Sequence, residues 1–427
     1  MKRLLIISPY FAPCNTPDMQ RIRTSLPYFA AFGWEAEVVC VDPLYSDAPI
    51  DDLLLQTVPA DVKIHQVKAF KKSLTAKFGF GNIAFRSYRF YRKKVDELLQ
   101  EKKFDLIYFS TTQFPICVLG AYWQKRFGVP YVIDMQDPWY SNYYNNKPKE
   151  QQPPKYKLSN TLHKYLEPIA MKKAGGLISV SERYITDLQN RYPQLKNIPA
   201  ATITFGSFKG DMDIALKNQL AFDSLLDPDF KNIVYIGRGG VDMHSAITPL
   251  FKALKQAVAE QPEIYSKIKL YFIGTSYAPK GEGRLTILPL AKQLGVASGV
   301  VEITDRISYF HTLTTLLQAD AVFIPGSDDP KYTPSKLYPY LLAKKPLLAI
   351  FNAQSPALNI LNDYGVPAYS YNGTLDIEPP IMAFFSHLIN GTIDKPVYNE
   401  AGIEKYSAKN MTKMQCDLFD LVLAKNN

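Results

Sequence analysis

Short apolar runs alternate with stretches of helical periodicity from one end of the chain to the other. Runs bounded by turn residues predict strands over Arg3–Ser8, Glu35–Val41, Asp105–Ser110, Pro130–Asp134, Gly176–Val180 and Thr202–Phe205. The second half repeats the scheme with Asn232–Gly237, Lys269–Gly274, Val300–Thr304, Asp320–Ile324 and Leu347–Phe351. Strands separated by helices require crossovers that cover both faces of a sheet, so the pattern predicts an α/β protein with two doubly wound parallel sheets in series. The strand C-terminal ends of two such sheets are expected to face a shared crevice, which would hold the site. A chain of 427 residues exceeds one ordinary core and divides naturally into two domains of about 200 residues. Glycines interrupt the periodicity in Gly206–Asp213, which sets the boundary after Phe205.

One segment carries more chemistry than the rest. After the apolar run Ala321–Ile324 come an acidic turn (Asp328, Asp329), then Pro334, Ser335 and Lys336, and a helical stretch leading to the next strand. A helix beginning near Ser335 would aim unpaired N–H groups and its positive dipole end above the sheet, and Lys336 would add a mobile cation there. The expected guest is a phosphate or diphosphate. The alternative is an ordinary helix start with Lys336 in solvent.

Four dispersed cysteines without metal spacing fit a reducing cytosol. The N-terminal apolar run is too short for a signal peptide, and no long uncharged apolar stretch suggests a membrane span. A net charge of +9 points to anionic partners. Much of the excess lies in Lys68–Lys103, where Lys71, Lys72, Lys77, Arg86, Arg89, Arg92, Lys93 and Lys94 are interleaved with Phe78, Phe80, Phe85, Tyr88, Phe90 and Tyr91. That mixture suits an anionic membrane surface, or else a solvated helix with its aromatics in the core. No nucleic-acid-binding signature accompanies it. G-x-G-x-x-G, the P-loop and G-x-S-x-G are absent, which disfavours dehydrogenase, ATPase and α/β-hydrolase chemistry.

Several blocks, weak singly, together resemble the GT-B glycosyltransferases and in particular the retaining glycosyltransferase family 4. They are Ile6–Pro13 with Arg21 and Phe32–Trp34, Val132–Trp139, Gly176–Ser181, Tyr235–Arg238, Phe272–Gly274 and the Ser335-Lys336 segment. The resemblance implies a hexosyltransferase-like enzyme, retaining and independent of metal or other cofactor. It would move a sugar from a nucleotide donor such as a UDP- or GDP-sugar to a saccharide or lipid-linked acceptor in surface polysaccharide or glycoconjugate synthesis. It implies an acceptor-side domain over residues 1–205 and a donor domain over 206–404. A last helix, carrying Met411, Cys416, Leu418, Phe419 and Leu423, would return residues 405–427 to the first domain. A cytoplasmic location follows, with the inner face of the plasma membrane as the place of any membrane contact.

Carried over by position, Arg238 and Lys336 would neutralise the leaving diphosphate, with Ser335 and Thr333 completing the cradle. His244 would approach the donor phosphates, and Gly274, Arg306 and Ile307 would lie near the base. Asp137, placed after a strand with Asp134 three residues earlier, would meet the acceptor or the reacting sugar as a catalytic group, though an Asx turn before Pro138 is an equal use for it. Asn15, Arg21 and Trp139 would complete the acceptor side, and the polar segment Tyr140–Lys155 would serve as its lid or as a plain surface loop.

The chain also departs from the family pattern. No lysine follows Arg238 in Gly239–Ser245, so Lys336 would substitute from the opposite loop. Lys331 and Pro339 stand where paired glutamates are usual, leaving Asp328 or Asp329 to accept the ribose hydroxyls. These losses keep two other functions open: a GT-B-shaped nucleotide- or sugar-binding scaffold without catalysis, and a sugar-nucleotide epimerase.

Overall fold

The computed structural model describes residues 1–140, 156–330, 332, 334–394 and 396–426; the side chains of Phe78, Lys157, Leu158 and Asn426 also lie outside the description. The chain divides into two compact units, Met1–Gly206 with Tyr406–Asn427, and Ser207–Lys405. No helix among the described residues is long and apolar enough to cross a membrane.

The first unit is built on a parallel seven-stranded sheet of β1 (Lys2–Ile7), β2 (Trp34–Val41), β3 (Lys63–Val67), β4 (Leu106–Ser110), β5 (Tyr131–Met135), β6 (Gly176–Ser179) and β7 (Ala200–Thr202), in the order β3-β2-β1-β4-β5-β6-β7. β1, β4, β5 and β6 bury almost every side chain, as strands covered on both faces must. The second unit has six parallel strands: β8 (Lys231–Ile236), β9 (Ile268–Ile273), β10 (Val300–Ile303), β11 (Ala321–Pro325), β12 (Leu347–Phe351) and β13 (Tyr369–Ser370), ordered β10-β9-β8-β11-β12-β13. Strand order reverses beside β1 in the first sheet and beside β8 in the second. Each reversal opens a crevice at the strand C-terminal ends, between β1 and β4 and between β8 and β11.

The sequence pattern omits β3 and β13. β3 is an edge strand with only Val67 fully buried, and β13 has two residues, so neither carries a strong apolar run. β7 lies two residues earlier than expected.

The last helix, Ala408–Asn426, packs within the first unit. Its Phe419 ring meets Trp34 edge-on at 5.5 Å and Tyr108 at 5.0 Å, and Gln415 Nε2 donates to Ser25 Oγ at 3.0 Å. Close approach depends on Gly176: a Cβ there would stand 2.7 Å from Val422 Cγ2. Phe419→Ala would leave a cavity among three aromatic rings. It is expected to destabilise the first unit by about 3–5 kcal/mol, measured by denaturant unfolding, whereas Leu421→Ala on the exposed side of the same helix should change little.

Candidate functional site

The second unit gathers its chemistry at the reversal between β8 and β11. After β8 the chain runs through Gly237, Arg238, Gly239 and Gly240 before the helix His244–Glu260 begins. After β11 it passes through Ser327 and Asp328, whose backbone N–H donates to Asp242 O at 2.8 Å and clasps the two loops together. The helix that follows spans Leu337–Leu342, with Lys336 at its N-cap position and no side-chain cap. It therefore starts two residues later than the sequence suggests, because Pro334–Lys336 form a turn instead. Ser335 is exposed there and does not cap the helix. With only six residues, that helix contributes a small dipole, so side-chain charge dominates.

Lys336 is not a mobile surface cation. Tyr340, one turn onward, exchanges two hydrogen bonds with the end of β8: its hydroxyl accepts from Ile236 N at 2.6 Å and donates to Ile236 O at 3.2 Å. That anchor lays Lys336 over β8, where Nζ donates to Tyr235 Oη at 3.2 Å. Tyr235 Oη in turn donates to Arg238 O at 2.9 Å. The ammonium fills the space beside Gly237, where a Cβ would stand 1.8 Å from Nζ. No carboxylate pairs with Lys336 among the described residues. Burial, reinforced by the positive charges of Arg238 and Arg306, pushes its pKa down to about 8.

Arg238 is held differently. Its two terminal nitrogens donate to the Asp242 carboxylate at 2.7 and 2.6 Å, a bidentate pair that raises the guanidinium pKa and lowers that of Asp242. A guanidinium has five N–H donors, so three remain for an anion. Arg306 is exposed, with its guanidinium 5.3 Å from the Tyr277 ring centroid, and its backbone borders Gly274, itself left-handed at φ 72°. Ile307, the next residue, is half-buried.

A cavity of about 350 Å³ adjoins this cluster, lined by Arg238, Gly239, Thr275, Tyr277, Arg284 and Thr286 among others. Glu302 fixes its wall by accepting from Thr275 Oγ1 at 2.8 Å and from the backbone N–H groups of Thr286, Ile287 and Leu288 at 3.0, 3.0 and 2.7 Å. His244 Nε2 donates to Thr286 O at 3.0 Å, so this ring nitrogen secures a loop and does not face an anion. A larger hollow, about 650 Å³, lies at the opposite, N-terminal ends of β8, β9 and β11, around Phe230, Lys231, Lys267 and Asp320, away from these cations. No group of three or more metal-ligating side chains occurs among the described residues.

The structure thus brings Arg238, Lys336, Arg306 and Gly274 to the C-terminal ends of the strands, with Asp328 exposed on the adjoining loop. Thr333 and Lys331 lie outside the described residues. Sequence reasoning misses Tyr235, Gly237, Asp242, Glu302 and Tyr340. The available signal was the four-residue spacing of Lys336 and Tyr340, which places both on the same face of the turn.

In the first unit Asp137 is exposed after β5, and no described residue bonds its carboxyl. Partial desolvation and the nearby Asp18 carboxylate raise its pKa. Asp18 is buried and accepts from Thr111 Oγ1 at 2.9 Å, while Gln136 Nε2 donates to Asp18 O at 3.1 Å. Arg21 and Trp139 differ from expectation. Arg21 is buried, with its guanidinium committed to Asp134 at 2.7 Å and to the carbonyls of Ile203 and Thr204, so it secures the fold. Trp139 is buried and stacked on Phe114 at 5.5 Å. Asn15 lies on the loop after β1, its backbone N–H bonded to Pro49 O. Of the segment Tyr140–Lys155, all but Tyr140 falls outside the described residues.

No family model matches the chain, and no curated protein matches it in sequence. Solved structures do match over nearly full length. The N-terminal domain of Candida albicans trehalose-6-phosphate phosphatase aligns with TM-score 0.59 and 12% identity, covering 99% of this chain and 97% of that one. The UDP-forming α,α-trehalose-phosphate synthase of Burkholderia xenovorans, solved with glucose-6-phosphate, gives 0.55 and 10%, covering 98% and 100%. Anabaena HepE, solved with UDP, gives 0.50 and 16%, covering 100% and 98%. These likenesses define the fold: two Rossmann-like parallel-sheet units of the GT-B class.

Gly237→Ala is expected to displace the Lys336 ammonium toward solvent. In an NMR titration of lysine Nζ its pKa should rise from about 8 toward the ordinary lysine value. A midpoint unchanged in the variant would mean that Gly237 does not set the lysine's position.

Proposed function

We propose that the protein transfers a sugar from a nucleoside-diphosphate sugar, UDP- or GDP-linked, to a saccharide or lipid-linked acceptor during synthesis of a surface polysaccharide or glycoconjugate. The observation that carries this is the Lys336 ammonium, without a counter-ion among the described residues, lying beside Arg238 at the strand reversal of the second unit. A desolvated cation of this kind is poised for an anion, and an open α/β sheet takes ligands at this point. HepE was solved with UDP, and the synthase with the same fold forms UDP. Both facts support a nucleoside diphosphate as the anion here.

In this account the second unit holds the donor and the first holds the acceptor. The bond between the anomeric carbon and the phosphate oxygen breaks, with its electron pair going to the diphosphate. Lys336 and the free N–H groups of Arg238 stabilise the charge that develops there. The acceptor oxygen bonds the anomeric carbon, and its proton passes to the departing phosphate or to Asp137. Retention of configuration is part of the proposal. Asp328 accepts hydrogen bonds from the ribose, and the 350 Å³ cavity beside Arg238 and Tyr277 receives the base. A lipid-borne acceptor at the inner face of the plasma membrane is consistent with the +9 charge.

Turnover of UDP- and GDP-sugars in the presence of saccharide acceptors tests the proposal directly. Release of nucleoside diphosphate coupled to acceptor glycosylation is expected. Nucleotide binding without transfer would favour a scaffold, and isomerisation of the donor sugar without acceptor would favour an epimerase. Lys336→Ala should weaken nucleoside diphosphate binding by about 10–100-fold, the size of a charge-assisted hydrogen bond. Arg238→Ala should do at least as much, because it also leaves Asp242 unpaired. Adding Asp242→Asn should restore part of the loss.

Binding should also fall with pH. Lys336, near 8 in the empty site, faces Arg238, Arg306 and Tyr235. Below pH 8 the bound anion meets an ammonium; above it, binding must first protonate the amine. Affinity should therefore decline above pH 8 by up to about tenfold per unit in calorimetry. Lys336→Ala should flatten that decline. The empty protein should behave oppositely: deprotonation relieves the burial penalty, so this lysine's contribution favours folding increasingly as pH rises from about 8 toward 10.5. Asp137→Asn is expected to reduce turnover about 100-fold or more with donor affinity unchanged.

A further inference from the structure

From Val62 to Val95 the chain carries ten Lys and Arg residues and no Asp or Glu. The structure separates this tract into two parts. The helix Ile83–Glu101 turns Ile83, Ala84, Tyr91, Val95 and Leu98 inward. Arg86 is buried too and donates to Tyr45 O, and Tyr91 Oη donates to Val39 O at 3.1 Å. Most of the aromatics that made this helix look interfacial in sequence are therefore core or half-buried.

The preceding segment behaves differently. Phe70, Leu74 and Phe80 are 45%, 64% and 48% exposed, and Lys68, Lys71, Lys72 and Lys77 stand exposed among them. Phe70 rests edge-on against half-buried Phe90 at 5.2 Å, and Phe80 against Phe85 at 5.6 Å, so each outer ring is propped outward by an inner one. An adjoining turn, tied to the segment by the Lys72–Asp47 ion pair and to the helix Ile83–Glu101 by the Arg86–Tyr45 hydrogen bond, exposes 89% of Leu44. Lys72 is the one cation of the four with a carboxylate partner among the described residues.

We propose that Phe70–Phe80, with Leu44 beside it, is a membrane-docking element. Phe70, Leu74 and Phe80 enter the headgroup boundary of an anionic bilayer while Lys68, Lys71 and Lys77 meet its phosphates. Exposed apolar side chains would be held in water at a cost unless something covers them, and Lys68, Lys71 and Lys77, without a carboxylate partner among the described residues, select an anionic cover. Leu44 and Leu74, at 89% and 64%, are more exposed than the Phe70 and Phe80 rings and offer no stacking face to a base, which favours lipid over nucleic acid. The proposal rests on the transferase reading only for its purpose, which is to bring the protein to an acceptor carried on lipid.

Docking is tested without substrates, by co-sedimentation of the full chain with phosphatidylcholine vesicles with and without phosphatidylglycerol. Binding is expected only with the anionic lipid. Lys68→Gln, Lys71→Gln and Lys77→Gln together should weaken it by on the order of 100-fold, about fivefold per lysine. Leu74→Ser with Phe80→Ser should weaken it by about tenfold or more at unchanged charge, and a tryptophan at position 74 should shift its fluorescence to the blue on binding. All these positions are exposed, and unchanged thermal unfolding would show that the variants fold. The proposal is overturned if vesicles are not bound, or if the serine variant binds as well as the parent. It is equally overturned if the patch instead mediates a salt-resistant dimer or binds single-stranded DNA in place of vesicles. Failure to bind vesicles would leave sugar transfer to a soluble acceptor intact, whereas absence of transfer in a vesicle-binding protein would remove the transferase reading alone.

Discussion

A lysine ammonium pressed against a tyrosine hydroxyl, with no carboxylate to balance it among the described residues, is the constraint around which the second unit is arranged. Holding Lys336 there is electrostatically unfavourable, as its pKa near 8 shows. The fold maintains the position through ordinary means. Tyr340 fastens the turn to β8, and Gly237 vacates the space that the ammonium occupies. Unfavourable charge maintained by well-satisfied hydrogen bonds is what a site built for an anion requires, because the cost has been met before the ligand arrives.

The neighbouring arginine shows the complementary arrangement. Arg238 is neutralised by Asp242, which fixes the plane of the guanidinium and leaves donors on its remaining edges. Lys336 supplies net charge and Arg238 supplies orientation. Glu302 performs a related service for the cavity wall, gathering Thr275 and the N–H groups of residues 286–288 on one carboxylate. In the first unit Asp134 does the same for the core by binding Arg21, which leaves Asp137 as the carboxylate turned outward after β5.

Much of the architecture was legible in the chain because parallel strands buried on both faces leave continuous apolar runs, as in Leu106–Ser110 and Leu347–Phe351. The omissions, β3 and β13, are edge or minimal strands whose exposed residues erase that signal. Arg238 and Lys336 could be singled out because both follow strands in loops with turn chemistry. Their environment could not be foreseen: whether Lys336 points to solvent or across to Tyr235 depends on a contact between residues about a hundred positions apart. Arg21 and Trp139 show the same limit, since the chain alone does not reveal that Arg21 is bonded to Asp134 or that Trp139 is stacked on Phe114. The basic tract before Glu101 required the same correction, as helical burial withdrew Arg86 and Tyr91 and left the shorter Phe70–Phe80 segment exposed.

The most direct measurement is a crystal structure of the protein soaked with UDP or GDP. The account requires the diphosphate at the C-terminal ends of β8 and β11, with its oxygens within hydrogen-bond distance of Lys336 Nζ and of an Arg238 nitrogen not engaged by Asp242. A nucleotide seated elsewhere on the molecule, with Lys336 still bonded only to Tyr235, would contradict it.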